Sequence, residues 1–158
     1  MRKLKVYLDT TVISYLAQDD APDKMADTLR LWEIFKIGKY DIYLSDVTLA
    51  EVNECHEPKR TMLFEFLSQI DYTEISINDE VDMVAQKFID NGILKQKSLD
   101  DCRHIACTIV NGCDCIISWN FSHIVNINTI KGVKIVSAIT GYNEISIYTP
   151  TFLLEGEE

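Results

Sequence analysis

Residues 3–14, KLKVYLDTTVIS, decide how this chain is read. Val6, Tyr7 and Leu8 form a strand pattern that stops at Asp9, and two threonines follow. Strands usually end in Gly, Asn or Pro, which turn the chain at little cost. A carboxylate at the carboxyl edge of a strand in an α/β protein sits where open parallel sheets place their ligands. It also suits a helix cap, because Asp9, Thr10 or Thr11 can accept from the first amides of a following helix. A single residue leaves both roles open, and the rest of the chain has to choose between them.

Outward from this stretch, strands alternate with helices. Strand patterns run over 4–9, 40–45, 72–77, 115–119 and 133–137, with EISIY at 144–148 available as a further short strand. Helical patterns occupy 10–17, 23–39, 46–55, 59–69, 78–89 and 98–111, and Asn91-Gly92 and Asn111-Gly112 supply stop signals. This order predicts an α/β fold with three layers, α/β/α, around a central, mostly parallel sheet of about five strands. The chain contains no internal repeat or low-complexity segment. It is expected to form a single domain over 1–158, with its core at about 4–137 and a C-terminal extension at 138–158.

At 158 residues and 47% hydrophobic, the chain can bury a sizeable core. No apolar stretch approaches the roughly 18–20 residues of a membrane helix. The N-terminus enters a strand without the apolar segment of a signal peptide, so a cytoplasmic protein with no membrane association is expected. Five cysteines (Cys55, Cys102, Cys107, Cys113 and Cys115) with no CxxC pair read as packed thiols, neither a disulfide framework nor a zinc site. The net charge of −10, from 15 basic and 25 acidic residues, argues against a general nucleic-acid binder. Such a chain handles RNA only through local basic residues, through metal ions that bridge its carboxylates to phosphate, or with a basic partner.

Further polar groups follow the other strands. Glu51 lies on the helix after the second strand, in SDVTLAEVNE, among Leu49, Ala50 and Val52. The helix SLDDCRHIACTIVNG carries an apolar stripe of Leu99, Cys102, Ile105, Ala106, Ile109 and Val110. At about 100° per residue, Asp101 sits at the edge of that stripe and Asp100 points away from it. Ser98 and Asp101 also have the spacing of a capping box. Past the fourth strand come Ser118, Asn120 and His123; Asn120 suits a turn and His123 a packed or capping role. Carboxylates gathered at one sheet end repel one another, and a divalent cation removes that penalty. Oxygen-rich sites of this kind favour Mg²⁺ or Mn²⁺, which activate water and stabilise charge on phosphoryl oxygens. The chemistry suggested is metal-dependent hydrolysis of a phosphodiester.

At these residues the sequence resembles the PIN-domain ribonucleases, especially the VapC-type toxins of toxin–antitoxin pairs. VYLDTTVISYL is similar to the family's first acidic motif, with Asp9, and YLSDVTLAEV to the second, with Glu51. LDDCRHIACTIVNGCDCIISWNFSHIVN is similar to the third and fourth run together, and its D-x-x-H-I-A pattern puts the third acid at Asp101. The resemblance spans roughly 4–137. It implies a PIN fold and metal-dependent endoribonuclease activity that leaves a 5′-phosphate and a 3′-hydroxyl. It also implies a role as a toxin, an inhibiting antitoxin partner and a homodimer. Asp9, Glu51 and Asp101 match the metal-binding catalytic acids, and Thr10, Ser118 and Asn120 the residues that position water or phosphate. The family often has Asp where Asn120 stands. A neutral amide oxygen is a poorer ligand, so a second metal is expected to bind weakly or through water. Two other classes compete: a PIN-like scaffold or binding module with a degenerate site, and an aspartyl-phosphate phosphotransferase. LDTT offers the latter its nucleophile, but Thr11 stands where that chemistry needs a second Asp.

Overall fold

The computed structural model describes residues 2–157. The elements are β1 (Lys5–Leu8), α1 (Thr10–Ser14) running into a 3-10 turn (Tyr15–Ala17), α2 (Pro22–Ile37), β2 (Asp41–Ser45), α3 (Asp46–Asn53), α4 (Lys59–Leu67) and β3 (Thr73–Ile75). Then come α5 (Asp79–Asp90), a 3-10 turn (Gln96–Ser98), α6 (Leu99–Val110), β4 (Cys115–Ile117), α7 (Ile127–Thr140), β5 (Ser146–Tyr148) and α8 (Pro150–Glu155). The strands pair in parallel in the order β3-β2-β1-β4-β5.

Alternation along the strands gives the sheet two apolar faces. Val6 and Leu8 of β1, Ile42 and Leu44 of β2, and Cys115 and Ile117 of β4 pack with α1, α2, α4 and Leu153 of α8. Tyr7 and Ile116 point the other way, into a second core built with α5, α6 and α7. The fold is therefore a three-layer α/β/α sandwich, as the alternating pattern predicts. No helix of the described residues is long and apolar enough to cross a membrane.

The strand expected at 133–137 is instead part of α7, and the fifth strand is β5 within 144–148. The reason is a competition between periods. Val133, Ile135 and Val136 suit a strand, but Asn126 caps Thr129 N at 2.9 Å, and Gly141, with φ of 80°, closes the helix. Between them, Thr129, Gly132, Val133, Val136 and Ser137 bury one helical face. Both β5 and α8 thus come from the stretch read as a C-terminal extension, and β5 hydrogen-bonds to β4.

Gly132 is where α7 approaches Ile93 most closely. A Cβ there would meet Ile93 Cγ2 at 2.6 Å and Cδ1 at 2.8 Å. Gly132→Ala is expected to destabilise the fold by about 1–2 kcal/mol, since overpacking exceeds the helix propensity gained. Urea unfolding of Gly132→Ala, Ile93→Ala and the double variant checks this. The double variant should be more stable than the sum of the singles.

Candidate active site at the carboxyl edge of the sheet

The strand order reverses direction between β1 and β4, since the chain builds β2 and β3 on one side and β4 and β5 on the other. Such a switch point opens a crevice beyond the strand ends. Asp9 follows β1 and Ser118 follows β4, and the Ser118 hydroxyl donates across the crevice to Asp9 Oδ2 at 2.5 Å. Asp9 also caps α1: its Oδ1 accepts from Val12 N at 3.3 Å and from Thr11 Oγ1 at 2.6 Å. Thr11 Oγ1 in turn accepts from Trp119 N at 2.8 Å. Capping and a place in the crevice therefore coincide in one carboxylate. Asp9 is only 2% exposed. Burial pushes its carboxyl up, and the charge of His104 and the bonds from Ser118, Thr11 and Val12 offset this only in part. Three of its about four acceptor positions are occupied, and the one left on Oδ2 can still receive a cation.

Glu51 comes from α3, whose own cap is Ser45 at the end of β2. Its Oε1 accepts from Thr10 Oγ1 at 2.9 Å and from His104 Nε2 at 2.7 Å. The other imidazole nitrogen, Nδ1, lies 2.7 Å from the Tyr7 hydroxyl, which lies 2.8 Å from Ser45 Oγ. Burial pushes the Glu51 carboxyl up, but the bond and charge of His104 outweigh it, and the group lies below its usual range. His104 is buried, which by itself lowers its pKa. The hydrogen bond to Glu51 and the charges of Asp9, Glu51 and Asp101 reverse that, so the imidazole lies above its usual value. Burial also keeps the Tyr7 hydroxyl protonated. When protonated, the imidazole donates to both Glu51 and Tyr7, and Tyr7 can then donate to Ser45.

Asp101, at the start of α6, does not serve a capping box: Ser98 makes no side-chain cap bond. Its Oδ2 lies 2.8 Å from His123 Nδ1, and its Oδ1 accepts from Asn120 Nδ2 at 3.4 Å. The amide oxygen of Asn120 accepts from His123 N at 2.9 Å, and Asn120 N donates to Ser118 Oγ at 2.9 Å. Asn120 thus turns its amide hydrogens to Asp101 and spends its oxygen on the backbone.

The structure brings Asp9 together with Ser118, Glu51 with Thr10, and Asp101 with Asn120. His104, which the charges of all three acids reach, joins them; the sequence reading gave it no role. The signal was present, because Asp101 and His104 are three apart and share one side of α6.

Among the described residues, no three His, Cys, Asp or Glu side chains are placed to hold one metal ion. The donor set nevertheless suits a hard cation, since carboxylate oxygens are the preferred ligands of Mg²⁺ and Mn²⁺. A carboxylate has about four acceptor positions. Among the described residues, Glu51 Oε2 takes part in no hydrogen bond and each oxygen of Asp101 takes part in one, so both acids retain accepting capacity.

No family model and no curated protein matches the chain. Among solved structures it is similar to a chain of VapBC2 from Rickettsia felis, crystallised bound to a DNA fragment from their promoter. The two are 12% identical, with a TM-score of 0.59, over 92% of this chain and 98% of that one. At that identity the likeness is one of fold, and this chain has the PIN-like fold that its sequence motifs imply.

The pKa directions fix how this site answers to pH in the metal-free protein. The His104 contribution is fully present below its unfolded value of about 6.5 and is lost as pH rises through its folded value. The Glu51 contribution is present above its unfolded value of about 4.3 and is lost as pH falls through its folded value. The stabilisation that Glu51→Gln removes should therefore be greatest between about pH 4.5 and 6.5 and shrink on either side, as read from urea midpoints. Proton NMR should find the His104 midpoint above the ordinary histidine value in the wild type and lower in Glu51→Gln.

Proposed function

We propose that this protein is a Mg²⁺- or Mn²⁺-dependent endoribonuclease, acting as the toxin of a toxin–antitoxin pair, with an antitoxin partner and a homodimeric assembly. The observation that carries the reading is that Asp9, Glu51 and Asp101 each bond to a polar side chain of another segment past the strand ends, Ser118, His104 and His123 respectively. The fold shared with VapBC2 supports the toxin role. In this reading Asp9, Glu51 and Asp101 hold the cation, which supplies water activation and charge neutralisation at the phosphoryl oxygens. Thr10 and His104 orient Glu51, and Ser118 orients Asp9. Asn120 and His123 fix Asp101.

An acidic chain still needs somewhere to receive an anion. A cavity of about 230 Å³ beside the site is lined by Lys95, Lys97, Ser98 and His123 together with Ile93 and Leu94. These lysines supply local positive charge against the overall −10. The lack of three converging ligands favours a second reading, a PIN-like binding module without catalysis.

Cleavage of labelled single-stranded and structured RNA in Mn²⁺, Mg²⁺ or EDTA separates the two. The nuclease reading expects cutting that EDTA abolishes and that falls at least about 100-fold in Asp9→Asn and Asp101→Asn, with folding intact. Full activity in either variant would sink the site assignment. Absence of both cutting and Mn²⁺ binding by calorimetry would leave the binding module.

A further inference from the structure

Beside the acids lies a cluster that the chemistry above does not use. Tyr15 follows α1, Lys24 belongs to α2, and Trp119 and Phe121 flank Asn120. Lys24 Nζ lies 5.1 Å from the Phe121 ring centre, 5.7 Å from that of Trp119 and 5.9 Å from that of Tyr15. The Tyr15 and Trp119 rings stack at 5.9 Å and 22°, and Trp119 and Phe121 meet at 6.5 Å and 54°. The base of this cluster is rigid. Trp119 is buried, its Nε1 donates to Thr28 Oγ1 at 2.9 Å, and its backbone N is held by Thr11. The top is open, with Phe121 46% exposed. Among the described residues Lys24 makes no ion pair, in a chain with 25 acidic residues.

We propose that Phe121 and Lys24 form a base-stacking subsite for single-stranded RNA, an inference that rests on the nuclease reading above and names the form of its substrate. One unpaired base lies on the Phe121 ring, and Lys24 pairs with the adjoining phosphate. Adjacent aromatic and cationic side chains are what single-stranded nucleic acids need: a π-face for the base and a positive charge for the backbone. The position is right for the next nucleotide. Consecutive Cα atoms are about 3.8 Å apart, and Phe121 directly follows Asn120, whose amide touches Asp101. A duplex cannot use this subsite, because its neighbours in the stack already cover both faces of each base. A protein segment fits less well. An apolar one has no use for Lys24, and an acidic one meets Asp9, Glu51 and Asp101 alongside, whereas a phosphate chain reaches those carboxylates through divalent cations.

The test is fluorescence anisotropy of a labelled 10-nucleotide RNA, single-stranded and as a duplex, at low salt in Ca²⁺, a hard cation that bridges carboxylate and phosphate oxygens. Wild type is compared with Phe121→Leu, Phe121→Tyr and Lys24→Gln, and cleavage kinetics in Mn²⁺ are run in parallel. Single-strand affinity should fall on the order of tenfold in Phe121→Leu and return in Phe121→Tyr. Lys24→Gln should weaken binding and flatten its salt dependence. Duplex binding should be weak and unchanged by Phe121→Leu and Phe121→Tyr. In cleavage, Phe121→Leu should raise KM and leave kcat in place. Equal single-strand affinity in wild type and Phe121→Leu, with cleavage intact, overturns the subsite and spares the nuclease reading. A wild type that neither binds nor cuts RNA removes both.

Discussion

Carboxylates brought to one end of a sheet repel one another, and in this chain the buried imidazole of His104 offsets that repulsion. Asp9, Glu51 and Asp101 all raise its proton affinity, and burial alone would lower it. The balance fixes more than charge. Because Nε2 faces Glu51 and Nδ1 faces Tyr7, the ring cannot turn without breaking a bond at each end. Tyr7 passes the constraint to Ser45, which caps α3, the helix that carries Glu51. The loop of contacts thus closes on itself: the helix is seated by the same network that its own carboxylate completes.

A metal bound by these acids would compete with that imidazolium, since both answer the same negative charge. Hydroxyls, amides and imidazoles already occupy part of each carboxylate. Asp9 is the most committed of the three, with three donors against two for Asp101, while among the described residues Glu51 Oε2 has none. Asn120 shows how a neutral side chain is used at such a place. It stabilises Asp101 by donating to it, and its carbonyl oxygen holds the turn that presents His123.

Much of this was legible in the sequence, because strand ends and helix periods are local patterns. Asp9 was visible where the apolar run of β1 stops, and Asp101 where the stripe of α6 has its edge. The strand read at 133–137 failed because β-branched residues satisfy both periods over so short a run. Only the cap at Asn126 and the close approach of Gly132 to Ile93 decide for a helix. The Ser98–Asp101 capping box failed for a different reason: His123 and Asn120, some twenty residues on, draw Asp101 away from the local bond. His104 escaped because a histidine on an apolar helix face has no partner until the sheet sets Glu51 and Tyr7 beside it.

The residues gathered at the switch point come from the beginning, middle and later parts of the chain, at positions 9, 51, 101 and 118. No fragment that stops before β4 can contain the crevice, since one of its walls is missing. β4 is itself an inner strand, seated between β1 and β5. Contacts this distant in sequence require long loops to close, at an entropic cost. The proposed chemistry is therefore withheld from a partly synthesised or partly folded chain and arises together with the finished sheet. A chain cut short before β4 would carry Asp9, Glu51 and Asp101 without the crevice that brings them near one another.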